Sequence, residues 1–221
     1  GFIMALSKLN FNSLNLTPVA GKGIGFDSGA DDLEASFSGG SMVFIKKLTA
    51  SNSANLTFLN GSSSVVLDST YKEYVFVVNN IHPITDNVNT YVNFTTDGTN
   101  YNATKTTTFF RAFHDEADNT AVVAYVDAQD LAQSTAGQNI GWAIGNGNDE
   151  CSCVVLRLFN PASTTFVKHF TARVADYAAS NGIGDRFVAG YCNTTSAVTG
   201  VQFQMSSGNI DSGTITLYGI N

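Results

Sequence analysis

The chain has 221 residues, of which 43% are hydrophobic and only 13% are charged, and its net charge at neutral pH is −7. A chain of this length buries roughly 70% of its unfolded surface, which is enough for one large all-β domain or two small domains. Its Lys and Arg residues form no basic run, so nucleic acid is not an expected partner, because phosphate backbones need clustered cations. No segment approaches the roughly 20 apolar residues of a membrane-spanning helix, and membrane insertion is not expected.

Residues 1–40 differ in character from the rest of the chain. They contain scattered Leu and Phe without a sustained period, and Gly is frequent after Pro18. Such a segment cannot by itself offset its ordering entropy, and we predict an extended N-terminal arm that packs on its own domain, a neighbouring subunit or a larger particle. The alternative is an ordinary first strand with a long loop. Gly1–Ile3 precede Met4, a plausible start, and are expected to be a cloning remnant or the end left by processing.

From residue 41 onward, short β-rich runs with apolar alternation are bounded by Gly, Asn, Asp or Ser clusters, a pattern typical of strands and tight turns. The runs are MVFIKKLT, ANLTFL, YKEYVFVV, TYVNFTT, TTTFFRAF, AVVAYV, NIGWAIG, CVVLRLF, TTFVKHFTARV, RFVAGYC, VQFQM and GTITLYGI. So many short strands predict an all-β domain over residues 41–221, an antiparallel β-sandwich of jelly-roll-like form. The one helix candidate, residues 127–136, has few apolar partners at helical spacing.

Three stretches between or within these runs have recognisable local chemistry. The sequence TTDGTNY at 95–101 predicts a hairpin tip, because its Gly supplies the positive φ of the primed turns. The sequence FNPASTTF at 159–166 predicts a strand-to-strand connection, since its proline donates no hydrogen bond to a ladder. In VQFQM at 201–205, apolar residues alternate with glutamines. This last pattern predicts one core face and one amide-rich face.

No catalytic or metal-binding signature stands out, so the sequence predicts neither an enzyme nor a cofactor. The sequence GKGIG at 21–25 lacks the strand, the helix and the Lys-Ser/Thr ending of a phosphate loop, and the three histidines show no triad pattern. Acidic clusters at 27–34, 114–119 and 145–150 offer oxygen ligands for calcium but match no calcium-loop pattern. We interpret them as solvated turns, and we predict no metal site.

The three cysteines are predicted to be small thiols, buried or half-buried. Cys151 and Cys153 are two residues apart, a separation at which a mutual disulfide is strained. Cys192 approaches one of them only if their strands pair. No histidine supplies the second pair of ligands that zinc would need, and the cysteines do not indicate an oxidising compartment.

Part of the sequence resembles a known family. The most distinctive phrases are LFNPASTTFVKHF, which ends at Phe170, and VAGYCNTTSAVTGVQFQMSSGNIDSGTITLYGI, which runs from Val188 to Ile220. They resemble virion structural proteins of tailed bacteriophages, frequent in marine phages of cyanobacteria, and the resemblance covers most of residues 4–220. It implies a virion protein that assembles in the host cytoplasm with other virion proteins, as a tail-fibre or tip module for host attachment. A capsid decoration or cement protein is the alternative, followed by an enzyme that degrades surface polysaccharide.

Host attachment would require a glycan site. Aromatic rings stack on sugar faces and amides bond sugar hydroxyls, so we take Tyr101, Asn102, Trp142 and Asn146 as candidate ligands of a host-surface glycan. The alternative is that the aromatics belong to the core and the asparagines to turns.

The run GTITLYGI at 213–220 has apolar residues on both faces. In a strand, Ile215 and Leu217 point to one side and Tyr218 and Ile220 to the other. Such a strand needs cover on two sides, and the sandwich core supplies only one. The sequence therefore predicts a homo-oligomer, with a trimer favoured, in which Tyr218 or Ile220 lies near the contact. A central strand covered by loops of its own chain is the alternative.

Overall fold

The computed structural model describes residues 22–26, 33–38 and 41–221. All regular structure in these residues is β, in fourteen strands, and the predicted all-β class is confirmed. The helix candidate at 127–136 is wrong, since these residues form turns, bends and one isolated bridge. The segment lacks the apolar stripe that a helix must bury.

The chain divides into two compact units, Gly1–Val43 and Phe44–Asn221. In the first unit, β1 (Lys22–Phe26) and β2 (Leu33–Ser38) pair antiparallel as a two-stranded sheet. The remaining residues of the predicted arm lie outside the described residues, and so does most of the acidic cluster at 27–34.

Twelve further strands follow, and each overlaps one of the runs identified in the sequence. They are β3 (Met42–Thr49), β4 (Leu56–Leu59), β5 (Glu73–Pro83), β6 (Val88–Thr95), β7 (Lys105–Asp115), β8 (Ala121–Tyr125), β9 (Gln138–Ile144), β10 (Ser152–Phe159), β11 (Lys168–Ala178), β12 (Gly182–Cys192), β13 (Gly200–Met205) and β14 (Ile210–Ile220). Period-2 alternation is a local property of the chain, which is why the sequence alone locates these strands.

The twelve strands form one hydrogen-bonded antiparallel network, which we divide at its single β11–β9 residue pair into two sheets that pack as a jelly roll. The larger sheet has eight strands in the order β3-β14-β5-β10-β11-β12-β7-β8, and the smaller has four in the order β9-β6-β13-β4. Every register described in these sheets is antiparallel. The sheets meet at one corner, where Ala178 of β11 pairs with Ile144 of β9. The predicted antiparallel, jelly-roll-like sandwich is confirmed.

One apolar core lies between the sheets. Alternate residues of β5, β10, β11 and β14 enter it from the larger sheet, and alternate residues of β4, β6 and β13 enter it from the smaller one. Aromatic pairs join the two sides: Phe58 and Phe76 have ring centroids 5.3 Å apart, and Phe94 and Phe170 have centroids 4.9 Å apart. Full burial of one such side chain contributes roughly 2 kcal/mol.

The predicted connections have mixed outcomes. Residues 160–167 connect β10 to its antiparallel neighbour β11, as predicted. The hairpin predicted at 95–101 is wrong: Gly98 has the expected positive φ of 79°, but β6 and β7 do not pair with each other. A turn conformation depends on neighbouring residues, whereas the pairing of a strand depends on residues that are distant in sequence. In β13, the apolar residues are buried and the glutamines half-buried, so its two predicted faces are confirmed.

A charged row closes one end of the inner face of β7, β12 and β11. Lys105, Cys192 and Lys168 lie side by side on these three strands, and none is exposed. Each ammonium donates two hydrogen bonds of 2.7 to 3.1 Å, mostly to backbone carbonyls. Burial lowers the pKa of Lys105 to about 8 and raises the pKa of Cys192 to about 12.

We predict that Lys105 makes the stability of the protein depend on pH between about 8 and 10.5. Its pKa falls from 10.5 to about 8 on folding, so the unfolded chain binds more protons in this window and the free energy of unfolding rises with pH there. Lys105→Met keeps the apolar stem and removes the charge. The variant should lose this rise, which amounts to about 3 kcal/mol at most. Urea unfolding of both proteins across this pH range measures the difference.

The difference between wild type and variant is the quantity to compare. Cys192 titrates in both proteins and, because its pKa is raised from 9 to about 12 on folding, it lowers stability as pH rises through that range. Lys47→Met, at an exposed position of β3, is the matched control and should follow the wild-type profile. Parallel pH profiles for wild type and Lys105→Met would contradict the prediction.

Candidate interaction surface

The outer face of the eight-stranded sheet has a concentration of exposed apolar side chains. Nine large hydrophobic residues are exposed in the described part of the chain. Six of them lie on this face: Phe44, Phe110, Val123, Tyr125, Val155 and Ile183. We refer to these six residues and the sheet positions between them as the outer apolar face.

The strand register aligns part of this face in one row. Successive cross-strand partners from β8 to β14 are Tyr125, Phe110, Phe187, Arg173, Val155, Val77 and Thr216. The rings of Phe110 and Phe187 stack with planes 1° apart and centroids 4.7 Å apart. The Arg173 guanidinium lies 5.0 Å from the centroid of the Phe187 ring. The row therefore forms a continuous, mainly apolar band across seven strands.

An open groove of about 900 Å³ lies on this face. Small side chains line it, among them Thr171, Ala175 and Ala189, together with the larger Phe187 and Val155. Short side chains beside long ones make a depression in a sheet surface that would otherwise be even. The groove offers a place for apolar side chains of another molecule.

The charged groups on the outer apolar face occur as opposite pairs. Arg173 donates to Asp185 from Nε at 3.2 Å and from Nη2 at 3.0 Å, and Arg157 Nη1 lies 2.6 Å from Glu73 Oε1. The hydrogen bond to Asp185 raises the pKa of Arg173. Such exposed pairs contribute little to stability. They do give one face both signs of charge, which a second copy of the same face can match.

The predicted contact residues Tyr218 and Ile220 are half-buried and lie on the same outer side of β14. The ring of Phe44 packs edge-on against Tyr218, with centroids 6.1 Å apart. On the other side of β14, Ile215 and Leu217 are fully buried, so the predicted alternation is confirmed. Strand β14 is a central strand between β3 and β5, and the subunit contact itself stays a prediction.

The four residues predicted to bind a glycan do not meet in one place. Tyr101 and Asn102 lie in the loop after β6, and Asn146 lies in the loop after β9. Because β6 and β9 run antiparallel, these two loops are at opposite ends of the smaller sheet. Trp142, on β9, packs against the core, and burial raises the pKa of Tyr101, whose hydroxyl has no partner among the described residues.

The described residues contain no group of three His, Cys, Asp or Glu side chains placed to hold a metal ion. The acidic stretch at 114–119 includes the turn after β7, where Asp115 accepts a hydrogen bond from the Asn119 amide at 2.8 Å. The three cysteines are free thiols, buried or half-buried, which confirms that prediction. No helix in the described ranges has the length and apolar character needed to cross a membrane.

The residues that dominate the outer apolar face, above all Phe110, Phe187 and Arg173, are not predicted from the sequence. One signal was present: Phe109 and Phe110 are adjacent in a strand, so their side chains had to point to opposite faces. The adjacency of the two residues does not show which of the two side chains enters the core. The answer depends on which sheet β7 joins, and therefore on pairings with β12 and β8 that are distant in sequence.

The adjacent pair Phe109 and Phe110 provides a matched test of the two faces. Phe109 is fully buried and Phe110 is 42% exposed. We predict that Phe109→Ala lowers the free energy of unfolding by about 3 to 5 kcal/mol, through a core cavity. Phe110→Ala should lower it by only about 1 kcal/mol, mainly through the lost ring stack. Urea unfolding measures both, and equal losses would contradict this assignment of the faces.

No family model matches the chain, and no curated protein or solved structure is significantly similar to it. Among the described residues, the outer apolar face combines exposed apolar side chains, a groove and paired charges.

Proposed function

We propose that this protein is a structural subunit of a phage particle, a tail-fibre or tip module, that associates with further copies of itself through the outer apolar face. The observation that supports association is the gathering of six exposed large apolar side chains on one sheet face. Monomeric proteins rarely expose contiguous apolar patches of this kind unless they bind something. The assignment to a phage particle rests on the sequence resemblance over residues 159–170 and 188–220.

The chemistry of the groove favours a protein occupant over a sugar. Its lining is mostly Val, Ala, Thr and Phe, whereas an oriented sugar needs several polar groups around an aromatic platform. The rings of Phe110 and Phe187 face each other at 4.7 Å, so each ring covers one face of the other. A role in host attachment would then depend on the assembled particle rather than on a sugar site within this groove.

A second copy of the chain is the occupant that the charges favour. Glu73 and Asp185 accompany Arg157 and Arg173 on the same face. A surface that contains both signs can meet an identical surface with opposite charges in contact, and homo-oligomers with closed symmetry are the common solution. We propose a trimer, the assembly expected from the sequence.

A capsid decoration or cement protein is the second candidate. The observation that favours it is the separate N-terminal unit, Gly1–Val43, since a unit of its own can anchor a subunit to a coat. Polysaccharide hydrolysis has less support than either of these two functions. That chemistry needs two carboxylates, and among the described residues that line the groove Asp185 is the only one; it is engaged by Arg173.

We predict that the purified protein is a trimer and that a charge placed on the outer apolar face dissociates it. Val155→Lys and Val123→Lys introduce uncompensated charge at exposed positions of this face, and each should weaken association at least about tenfold, because burying an unpaired ammonium is costly. Phe166→Lys and Ile84→Lys are the controls, since both side chains are exposed in loops off this face. Multi-angle light scattering over a concentration series measures the mass.

The outcomes separate the two candidates. A trimer that survives removal of residues 1–40 and is lost in Val155→Lys supports an interface on the sheet. A wild-type protein that is monomeric at every concentration would contradict the proposed trimer and favour the decoration protein. That candidate requires binding to assembled capsids, and the binding must be lost when residues 1–40 are removed.

A further inference from the structure

Two arginines lie directly opposite each other on the inner face of the eight-stranded sheet. Arg111 on β7 and Arg186 on β12 are cross-strand partners. Both guanidinium groups pack on the Trp142 ring, with their central carbons 4.3 and 5.3 Å from its centroid. Like charges on directly opposed strand positions repel each other. The arrangement therefore calls for compensating negative charge.

Asp176 supplies one negative charge, and its oxygens are already engaged. Arg186 donates to Asp176 from Nε at 3.1 Å and from Nη2 at 2.8 Å, and the Trp142 amide donates to the same carboxylate at 2.9 Å. Both side chains of this ion pair are almost completely buried. Within the described part of the chain, no carboxylate forms an ion pair with Arg111. The cluster of two arginines and one aspartate thus has one positive charge in excess.

The same cluster contains buried polar atoms that have no hydrogen-bond partner among the described residues. Nη1 of Arg186 and Nε of Arg111 are buried and have no partner among the residues described, and the same holds for Oγ of Ser152, which lies across the strand from Asp176. Buried polar atoms are nearly always satisfied by protein, water or an ion. Burial and the neighbouring Arg186 lower the pKa of Arg111, and Asp176 offsets part of that shift.

Arg111 is the member of the cluster that solvent can reach. Its side chain is half-buried, whereas Arg186 is only 1% exposed. The residue opposite Arg111 on the edge strand β8 is Ala124, whose methyl group is too short to cover a guanidinium. An ion that enters from solvent would meet Arg111 first.

We propose that Arg111, Arg186 and Trp142 form a binding site for a small planar anion of the carboxylate class. The paired N–H donors of a guanidinium match the two oxygens of a carboxylate, and the planar guanidinium fits a planar carboxylate in this way. A single negative charge neutralises the excess charge of the cluster. The site lies on the inner face of the sheet and is independent of the proposed association through the outer apolar face.

Trp142 is the only tryptophan in the chain, so its fluorescence reports directly on this site. The experiment is a titration with sodium acetate at constant ionic strength, with sodium chloride as the balancing salt. We expect a saturable change of the Trp142 emission in the wild-type protein, and a midpoint at least tenfold higher, or no saturable change, in Arg111→Met. Arg173→Met removes a guanidinium from the outer face and is the matched control, which should titrate like the wild type.

A second variant separates the site from a folding defect. Arg111→Lys keeps the charge but loses the planar pair of donors, so it should stay folded by circular dichroism and bind acetate more weakly than the wild type. In the unaltered protein, the arginine Nε–H resonances should shift along the same saturation curve as the fluorescence. A linear response with one slope in wild type, Arg111→Met and Arg173→Met would overturn the proposal. A wild-type protein without a saturable response in either readout would overturn it as well.

Discussion

The fold depends on the difference in strand number between its two sheets, because a sheet of eight strands packs against a sheet of four. Alternate residues of every strand face opposite sides of a sheet, so the extra strands bring inner side chains that four strands alone would not cover. The larger sheet closes over the core instead. Phe170 on β11 reaches Phe94 on β6, and Phe109 on β7 reaches Trp142 on β9. The outer sides of the same strands remain exposed, and the outer apolar face is the consequence.

Charged side chains also lie on the inner face of the larger sheet. Along β7, β12 and β11 the middle of the ladder is apolar, with Phe109 and Val188 among its members, and charged rows lie toward the two ends. At the Lys105 end, loop carbonyls satisfy the ammonium groups. At the Arg186 end, the Asp176 carboxylate binds only one of the two guanidinium groups, that of Arg186, and one N–H donor of each arginine has no partner among the described residues. One end is therefore structurally complete, and the other retains binding capacity.

The sequence predicts well whatever depends on near neighbours. The strand runs, the buried and polar sides of β13 and the positive φ of Gly98 are all local, and all were found. Pairing is not local: Arg111 and Arg186 belong to separate runs, and only the ladder between β7 and β12 brings them together. The candidate glycan residues do not form one site for the same reason. Residue type can suggest an exposed ring or amide, but it does not determine whether two loops lie at the same end of a sheet.

The edges of the larger sheet differ in a way that bears on association. Strand β3, at one edge, contains Lys46 and Lys47, and charged residues on an edge strand discourage pairing with another chain. Strand β8, at the other edge, has the sequence AVVAY, without charge or proline, and its Val123 is 79% exposed. Edge strands that lack such protection invite contact with another molecule. The β8 side of the outer apolar face is therefore the part best suited to meet a neighbouring subunit.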